Sequence, residues 1–374
     1  EKVQGGDIRN YMWLIRSAGQ DGDVKKAVGT FRKLQSTQPE LVDVMAYNVT
    51  IDACASNNDI ALAQQLLEEM RQVYPMNKFT YNTMMKGHCA VGDLDSARRS
   101  LQEMEESGIT PDVASFSCLL SGAAKQLDCE EALRIIAEMD RRKLRLDSCV
   151  VTTMMRLARH LPNARDAYRA LSILDRPDAF MFDDEIVLNT VLDACVYHRD
   201  CKHLSRAVDA YSSRKVRASV RTYGLLIQAC ATLQRTHSCW TFWKEMVDRR
   251  GIIPNDITLA CMIDALLEAQ KIEDALALFQ AWKAKVASNN YSYSSLVSGL
   301  PRHGYIRKAV ELTEEACARV KPSHRHNKNF LTPSALKELL TALQSAGQFH
   351  ELGYSLVAKC RKAGMIVEDK WLAQ

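Results

Sequence analysis

A segment of about 35 residues recurs along the whole chain in degraded copies, and this period constrains the fold more than any other feature. The clearest copy is Lys78–Asp112, with the sequence KFTYNTMMKGHCAVGDLDSARRSLQEMEESGITPD. A unit this short cannot bury its apolar side alone, so neighbouring copies must stack and share their buried surfaces. The period therefore predicts an array of stacked repeats rather than one globular core.

Two runs of apolar residues at helical spacing divide the clearest copy into two helices. The first run is Tyr81, Met84, Met85 and Cys89, and the second is Ala97, Leu101 and Met104. Between them, Gly92 can take the left-handed conformation that ends a helix, and Asp93 can cap the next helix. Each repeat is therefore predicted to be a helical hairpin, whose two helices approach closely at the small side chain of Ala97.

The same offsets recur on both sides of this copy and cover nearly the whole chain. The preceding copy, for example, repeats the aromatic residue with Tyr47 and the small residue with Ala63. The predicted repeats are 8–43, 44–77, 78–112, 113–147, 148–184, 185–219, 220–255, 256–289, 290–332 and 333–369, with a basic insertion at 320–332. We expect them to form a single solenoid over residues 1–374.

The repeat resembles the pentatricopeptide repeat family. The resemblance rests on YNTMMKGHCAVGDLDSA followed by QEMEESGITPD, and on variants such as YNVTIDACASNNDIALA and IIPNDITLACMIDALLEAQKIEDALALF. The Trp-Leu-Gly-Tyr pattern of the tetratricopeptide repeat, another helical hairpin of similar length, is not found. The resemblance implies an all-α fold, namely an α-solenoid of about ten helix-turn-helix repeats that forms a right-handed superhelix.

The composition permits nucleic-acid binding without requiring it. The chain has 49 basic and 45 acidic residues, a net charge of +4, which is a mild excess. No apolar run reaches the ~20 residues of a membrane-spanning helix, so we expect no membrane insertion. The 12 cysteines show no Cys-x-x-Cys spacing, which favours buried free thiols in a reducing compartment. The resemblance implies a mitochondrial or chloroplast location, with a transit peptide already removed.

The resemblance also implies where RNA would bind. In this family the first helices line a groove that holds single-stranded RNA, whether mRNA or rRNA, at about one base per repeat. Two short polar side chains read each base, one just after the aromatic or apolar residue of the Tyr-Asn pair and one at the end of the repeat. Carried over by position, the reading pairs are Asn48 with Asn77, Asn82 with Asp112, Ser117 with Asp147, Thr152 with Asp184, and Asn189 with Ser219.

The family's code gives these five pairs a base preference. Asn is associated with pyrimidines and Ser or Thr with purines, while a trailing Asp favours uracil or guanine and a trailing Asn or Ser favours cytosine or adenine. Read from 5′ to 3′, the pairs resemble pyrimidine-U-G-G-C. The family's stacking position, one residue into each repeat, carries Met45, Phe79, Ala114, Cys149, Ile186, Arg221, Ile257 and Tyr291. Apolar groups there are suited to sandwich bases, with packing between repeats as the open alternative.

Positive charge is sparse where the family contacts phosphates. The family often places a lysine near the end of the first helix, and only Lys125 and Arg302 are clearly cationic there. The basic insertion adds Lys321, Arg325 and Lys328, with an exposed loop as the alternative reading. Because phosphate neutralisation supplies much of the affinity for nucleic acid, we expect weak RNA binding or binding with partners.

No catalytic motif is found. Family members that edit RNA carry His-x-Glu and Cys-x-x-Cys zinc ligands, and this chain has neither. We therefore expect no enzyme, no metal, no cofactor and no small-molecule substrate. The sequence favours an organellar RNA-binding adaptor that acts in RNA processing, stability or translation.

Two alternatives remain open. Asn and Asp at the predicted reading positions also cap helices and shape turns, so each pair has a structural interpretation. The repeats can also serve as a scaffold in a large organellar assembly, such as a mitochondrial or chloroplast ribosome or a membrane-protein complex. In that case Trp240, Trp243 and Trp371 are predicted to be exposed for contacts with partner proteins.

Overall fold

The structure, a computed structural model, describes residues 8–176, 179, 184–213, 216–286, 289–319, 330–365, 367 and 371. Within these residues it contains 20 α-helices and no β-strand. The chain divides into two compact units, Glu1–Phe182 (unit 1) and Asp183–Gln374 (unit 2). The all-α prediction is confirmed, and each unit is a stack of helical hairpins.

Unit 1 is built from hairpins that each consist of a first and a second helix. The first helices are α1 (Ile8–Gln20), α3 (Val44–Ser56), α5 (Lys78–Ala90), α7 (Val113–Lys125) and α9 (Ser148–His160). The second helices are α2 (Val24–Thr37), α4 (Ile60–Arg71), α6 (Leu94–Glu106), α8 (Cys129–Arg141) and α10 (Ala164–Leu171). Each first helix packs against the next first helix, so the first helices form one layer of the unit.

Unit 2 repeats this arrangement. Its first helices are α11 (Glu185–Tyr197), α13 (Val220–Thr232), α15 (Asp256–Glu268), α17 (Asn290–Gly299) and α19 (Pro333–Ser345). Its second helices are α12 (Cys201–Ser213), α14 (Thr236–Lys244), α16 (Ile272–Trp282), α18 (Ile306–Ala318) and α20 (Tyr354–Lys362). Successive first helices again pack side by side from α11 to α19.

Capping and turn residues explain why the hairpins reverse where they do. In unit 1, α2, α4, α6 and α8 begin after Asp23, Asp59, Asp93 and Asp128, whose side chains each accept a backbone N–H bond. The residue before the capping aspartate has a positive φ, as at Gly92 (85°) and Leu127 (56°). A left-handed residue followed by a capping aspartate therefore makes the turn, as the clearest copy predicts.

The two predicted apolar runs form the core. Every residue of both runs in Lys78–Asp112 is at most 5% exposed. Aromatic side chains add edge-to-face contacts between repeats, such as Phe31 with Tyr47, whose ring centroids are 4.9 Å apart. Most of the cysteines are buried free thiols, in agreement with the sequence interpretation.

Small residues let neighbouring first helices approach closely, a feature that the sequence analysis did not identify. A Cβ atom placed on Gly87 would lie 2.8 Å from the Cβ of Ala55, and one on Gly122 would lie 2.7 Å from the Sγ of Cys89. Both glycines are the tenth residue of their repeat, and both face the twelfth residue of the preceding repeat. A larger side chain at this position would not fit, so glycine allows the first helices to pack closely.

The prediction that Trp243 and Trp371 are exposed is wrong. They are 4% and 8% exposed, because each covers an apolar surface of its own unit. Trp243 packs edge-on against Trp282 at 5.7 Å between ring centroids, and Trp371 stacks on Phe349 at 5.9 Å. Trp240 is half-buried. These aromatic rings contribute to folding rather than to an exposed docking surface.

Candidate nucleic-acid interface

The second residue of each repeat lies on the exposed face of a first helix. The exposed fraction is 57% for Phe79, 64% for Ile186 and 54% for Tyr291. The other members of this set, Met45, Ala114, Cys149, Arg221 and Ile257, are also exposed. Large apolar side chains at repeat spacing on a surface mark a region suited to binding a partner. Their exposure disfavours the alternative that they only pack between repeats.

The fifth residue of a repeat lies about one helical turn after the second residue, and its side chain contacts the next repeat. The hydroxyl of Thr80 donates a hydrogen bond to Oδ1 of Asn48 at 2.8 Å. One repeat later, the hydroxyl of Ser115 donates to Oδ1 of Asn82 at 2.7 Å. In both cases the amide oxygen is held by the neighbouring repeat; Asn48 is 3% exposed, whereas Asn82 is half-buried and keeps its amide N–H groups nearer the surface.

The last residue of a repeat caps the next first helix. The backbone N–H of Thr80 donates to Asn77 at 3.0 Å, that of Ser115 to Asp112 at 3.1 Å, and that of Val150 to Asp147 at 2.8 Å. The caps at Asn77 and Asp112 are full capping boxes. The structural interpretation of these residues is thus correct, and it occupies one oxygen of each side chain.

A shared hydroxyl brings two of the predicted reading pairs together. The Oγ1 of Thr80 lies 2.8 Å from Asn48 and 3.0 Å from Asn77. The Oγ of Ser115 lies 2.7 Å from Asn82 and 3.2 Å from Asp112. These hydroxyls occupy the third residue of their repeats, and the sequence analysis missed them. Their signal was present, because a Ser or Thr three residues after a capping Asn or Asp is the mark of a capping box.

Asp112 also has a partner on its own repeat. The Nζ atom of Lys78 lies 3.2 Å from Oδ2 of Asp112, and both side chains are partly exposed. Burial alone would raise the pKa of Asp112, but the hydrogen bonds from Ser115 and the charge of Lys78 lower it below its ordinary value. Asp112 is therefore a carboxylate at neutral pH and an acceptor for any bound group.

The remaining pairs are arranged differently. Ser117 is buried and its Oγ has no hydrogen-bond partner, while its predicted partner Asp147 caps α9. Thr152 donates back to the carbonyl of Ser148 in unit 1. Asp184 lies in unit 2, where it caps α11 through the N–H of Ile186 at 2.7 Å. The structure therefore brings together the first two pairs more closely than these.

The fifth pair, Asn189 with Ser219, is joined by an acidic side chain that the sequence analysis did not single out. The backbone N–H of Ser219 donates to Oε1 of Glu185 at 2.8 Å, and the hydroxyl of Thr222 donates to the same atom. Asn189 is close enough to help lower the pKa of Glu185. The side chain of Ser219 makes no cap on α13.

Cations are unevenly placed. Lys125 is exposed at the end of α7, whereas Arg302 pairs with Glu338 at 2.6 Å. Lys321, Arg325 and Lys328 lie outside the described residues. Two further exposed cations in unit 1, Lys86 and Arg156, occupy the ninth residue of their repeats. They lie one turn beyond the fifth residue, on the same helix face.

The arginines on the second helices of unit 1 are largely engaged with acids of the neighbouring second helix. The pairs are Arg32–Glu69, Arg71–Glu103, Arg98–Glu131, Arg142–Glu105 and Arg169–Glu130. Such partly exposed pairs each contribute little stability. Because they are paired, these arginines are less available to phosphates, and so is Lys86 of the first helices, whose Nζ lies 3.2 Å from Oδ1 of Asp52.

The ninth residue of two repeats in unit 2 is acidic, at Asp193 and Asp264. Desolvation, with a smaller effect of the charge on Glu268, raises the pKa of Asp264 to about 6. This face of unit 2 thus carries two acids, whereas the same face of unit 1 carries Asp52 beside the cations Lys86 and Arg156.

In the described ranges, no group of three or more His, Cys, Asp or Glu residues is placed to hold a metal ion. No helix in the same ranges is long and apolar enough to cross a membrane.

Family models match both units. The model for the PPR repeat family matches residues 76–125, and the PPR repeat model matches 45–73, 114–144, 221–250 and 291–318. A chloroplastic pentatricopeptide repeat-containing protein of Arabidopsis thaliana is 26% identical over 67% of this chain and 33% of its own length. The small ribosomal subunit protein mL103 (rPPR7) of Arabidopsis thaliana is 22% identical over 74% of this chain and 66% of its own length.

A solved structure shares the fold. The crystal structure of the pentatricopeptide repeat protein PPR10 in complex with an 18-nt psaJ RNA element has a TM-score of 0.59 at 16% identity, over 98% of this chain and 57% of that chain. The chain thus spans from a third to two thirds of the length of these three proteins. From the repeat models, the curated relatives and the shared solenoid fold, it follows that this chain belongs to the pentatricopeptide repeat family.

Proposed function

We propose that this chain is an organellar adaptor that binds single-stranded RNA on the exposed face of its first helices, at about one base per repeat. The observation that carries the proposal is the combination of an exposed apolar side chain at the second residue with a polar pair around a shared hydroxyl. Phe79 with Asn82 and Asp112 is the clearest instance. Stacking supplies sequence-independent affinity, and the polar pair supplies the choice of base.

The reading pairs can serve the fold and the ligand at the same time. Each cap uses one side-chain atom, Oδ1 in both Asn77 and Asp112. The Nδ2 of Asn77 and the Oδ2 of Asp112 do not take part in the cap and differ in hydrogen-bonding character. A base placed against these atoms would meet a donor in one repeat and an acceptor in the next. We infer that folding holds the two groups in position before RNA arrives.

The relatives support the location and the ligand. Curated relatives in Arabidopsis thaliana carry the names chloroplastic or mitochondrial, and the PPR10 structure contains an 18-nt RNA element. We therefore place this chain in a mitochondrion or chloroplast, where it would guide the processing, stability or translation of its RNA. The sparse cations favour moderate affinity, to which Lys86, Lys125 and Arg156 contribute by phosphate contact.

The test is selection from a random RNA pool, followed by filter binding at fixed salt. The double variant Asn82→Ala with Asp112→Asn removes one reading pair but keeps the cap, because Asn caps helices as well as Asp. Asp128→Asn is the matched control, since Asp128 caps the second helix α8 in the same way. We expect the double variant to weaken binding to the selected RNA more than to a random one, and the control to change neither. Equal losses for both RNAs would refute base reading.

A second candidate function is a scaffold in an organellar ribosome. Similarity to a small ribosomal subunit protein favours it. Gel filtration of native extract separates the two functions: a scaffold stays in a ribosome-sized particle, whereas an adaptor runs as a smaller species that ribonuclease shifts further.

A further inference from the structure

The first residue of a repeat reaches the start of the following first helix at several junctions. Lys78 pairs with Asp112, Glu185 accepts the N–H of Ser219, and Asp256 accepts the N–H of Tyr291 at 2.8 Å. This residue thus lies beside the last residue of its own repeat, which is the position predicted to read the base. Its charge differs from one junction to another.

In repeat 185–219 this first-position side chain has taken over the role of the last residue. Ser219 provides no side-chain cap for α13, and its exposed side chain interacts with Glu185 and, at 3.4 Å, with the hydroxyl of Thr222. Glu185 instead binds the N–H of Ser219 and the hydroxyl of Thr222. Thr222 is the third residue of its repeat, the equivalent of Thr80 and Ser115. Glu185 therefore stands where Asn77 and Asp112 stand in unit 1.

Glu185 also determines how Asn189 is presented. Asn189 lies near Glu185 and helps to lower its pKa, while Oδ1 of Asn189 is buried without a hydrogen-bond partner. Burial alone would raise the pKa of Glu185, but the hydrogen bonds from Ser219, Thr222 and Asn189 lower it, so the side chain is ionised at neutral pH.

We propose that Glu185, rather than Ser219, reads the base of repeat 185–219, and that this base is guanine. The inference rests on the proposed RNA-binding function. The site presents the ionised carboxylate of Glu185, whose two oxygens offer about four acceptor positions, two of them used by Ser219 and Thr222. Guanine alone carries two adjacent donors on its Watson–Crick edge, N1–H and the N2 amino group. Adenine and cytosine would each turn an acceptor nitrogen toward the carboxylate, and uracil has one N–H between two carbonyls.

The junction at Asp256 shows why the proposal is confined to Glu185. Asp256 is 8% exposed and uses both oxygens on the backbone N–H groups of Tyr291 and Ser292. The fifth residue of its repeat is Ala260, which has no polar group to face a base. Asp256 is therefore a buried helix cap. Glu185, by contrast, is half-buried and has a polar fifth residue with an unsatisfied oxygen beside it.

The experiment compares the RNA motifs that four proteins select from one random pool: the wild type, Glu185→Gln, Ser219→Ala and Glu273→Gln. Glu273 is exposed at the start of α16 and serves as the control for the loss of one carboxylate. In the wild type we expect guanine at the column of repeat 185–219, which follows the columns of the four preceding pairs, with other bases there binding about 5- to 150-fold more weakly. Glu185→Gln should abolish the preference in that column alone, whereas Ser219→Ala and Glu273→Gln should leave the motif intact.

Each other outcome overturns the proposal in a distinct way. A motif that Glu185→Gln leaves unchanged, or a column that responds to Ser219→Ala, refutes Glu185 as the reader while RNA binding stands. A wild-type protein that selects no motif refutes base reading itself and this inference with it. Glu185→Gln keeps an acceptor oxygen for Ser219 and Thr222, so a thermal melt like that of the wild type is expected and excludes loss of folding as the cause.

Discussion

Replacing Gly122 with alanine should force the first helices α5 and α7 apart. A Cβ atom at this position would lie 2.7 Å from Sγ and 2.9 Å from Cβ of Cys89, and 2.7 Å from Cδ2 of Leu94. The sulfur and the leucine methyl can rotate, but the Cβ of Cys89 is fixed to the backbone of α5. Overpacking of this kind destabilises by about 1–3 kcal/mol. The better helix propensity of alanine offsets up to about 1 kcal/mol of that loss.

The net expectation is a loss of about 1–2 kcal/mol, measured as a lower urea midpoint. Gly29→Ala is the matched control, because Gly29 also lies within a helix, α2, and a Cβ there would meet nothing within 4 Å. The control should stabilise the protein by about 0.5–1 kcal/mol. If Gly122→Ala stabilises the protein as much as Gly29→Ala does, the first helices are not in the close contact described here.

Three further outcomes are expected. Asp112→Ala should lower stability by about 1 kcal/mol through loss of the cap, whereas Asp112→Asn should not; equal urea midpoints for the two variants would contradict this. The pKa of Asp264 is about 6 in the folded protein, above its ordinary value of 3.8. Between these two pH values the folded state binds more protons than the unfolded state, so the free energy of unfolding falls as the pH rises from 3.8 to about 6. Asp264→Asn should make the free energy of unfolding depend less on pH in this range. The effect is limited by solvent screening because the side chain is partly exposed. An unchanged pH profile of stability would contradict the prediction. Arg156→Gln should weaken binding to all RNAs alike and reduce the slope of log affinity against log salt by about one; a loss confined to one sequence would instead indicate a base contact.

The parts of the fold that depend on local, repeated signals could be predicted from the sequence. The two apolar stripes and the capping aspartates act within one hairpin, and they recur with the repeat period. Ten degraded copies make the pattern clear where a single copy would be ambiguous. Tyr81, Met84 and Leu101 are buried as predicted, and Asp93 caps α6. These features survive sequence drift because helical periodicity and capping need only a residue class at a spacing.

Contacts between repeats could not be predicted in the same way. The left-handed turn residue is glycine at Gly92 but leucine at Leu127, a residue type that disfavours this conformation and is here 42% exposed. The burial of Trp243 depends on Trp282, which lies more than a repeat period away in the sequence. Such features depend on which residue of one repeat contacts which residue of the next repeat. A repeat pattern in the sequence does not specify these contacts.

The candidate interface illustrates the same limit and also shows how the two readings of its polar residues can be reconciled. From the sequence, Asp112 was either a helix cap or a base reader. Asp93 and Asp128 show what a cap alone looks like, since each binds a backbone N–H at the start of a second helix. Asp112 likewise binds a backbone N–H, at the start of the first helix α7. It additionally shares the hydroxyl of Ser115 with Asn82 from the preceding first helix. The feature that separates a candidate reader from a simple cap is thus the fifth residue of the repeat. Substitutions at the fifth residue should therefore change base preference with little change in stability, whereas alanine at the cap changes both.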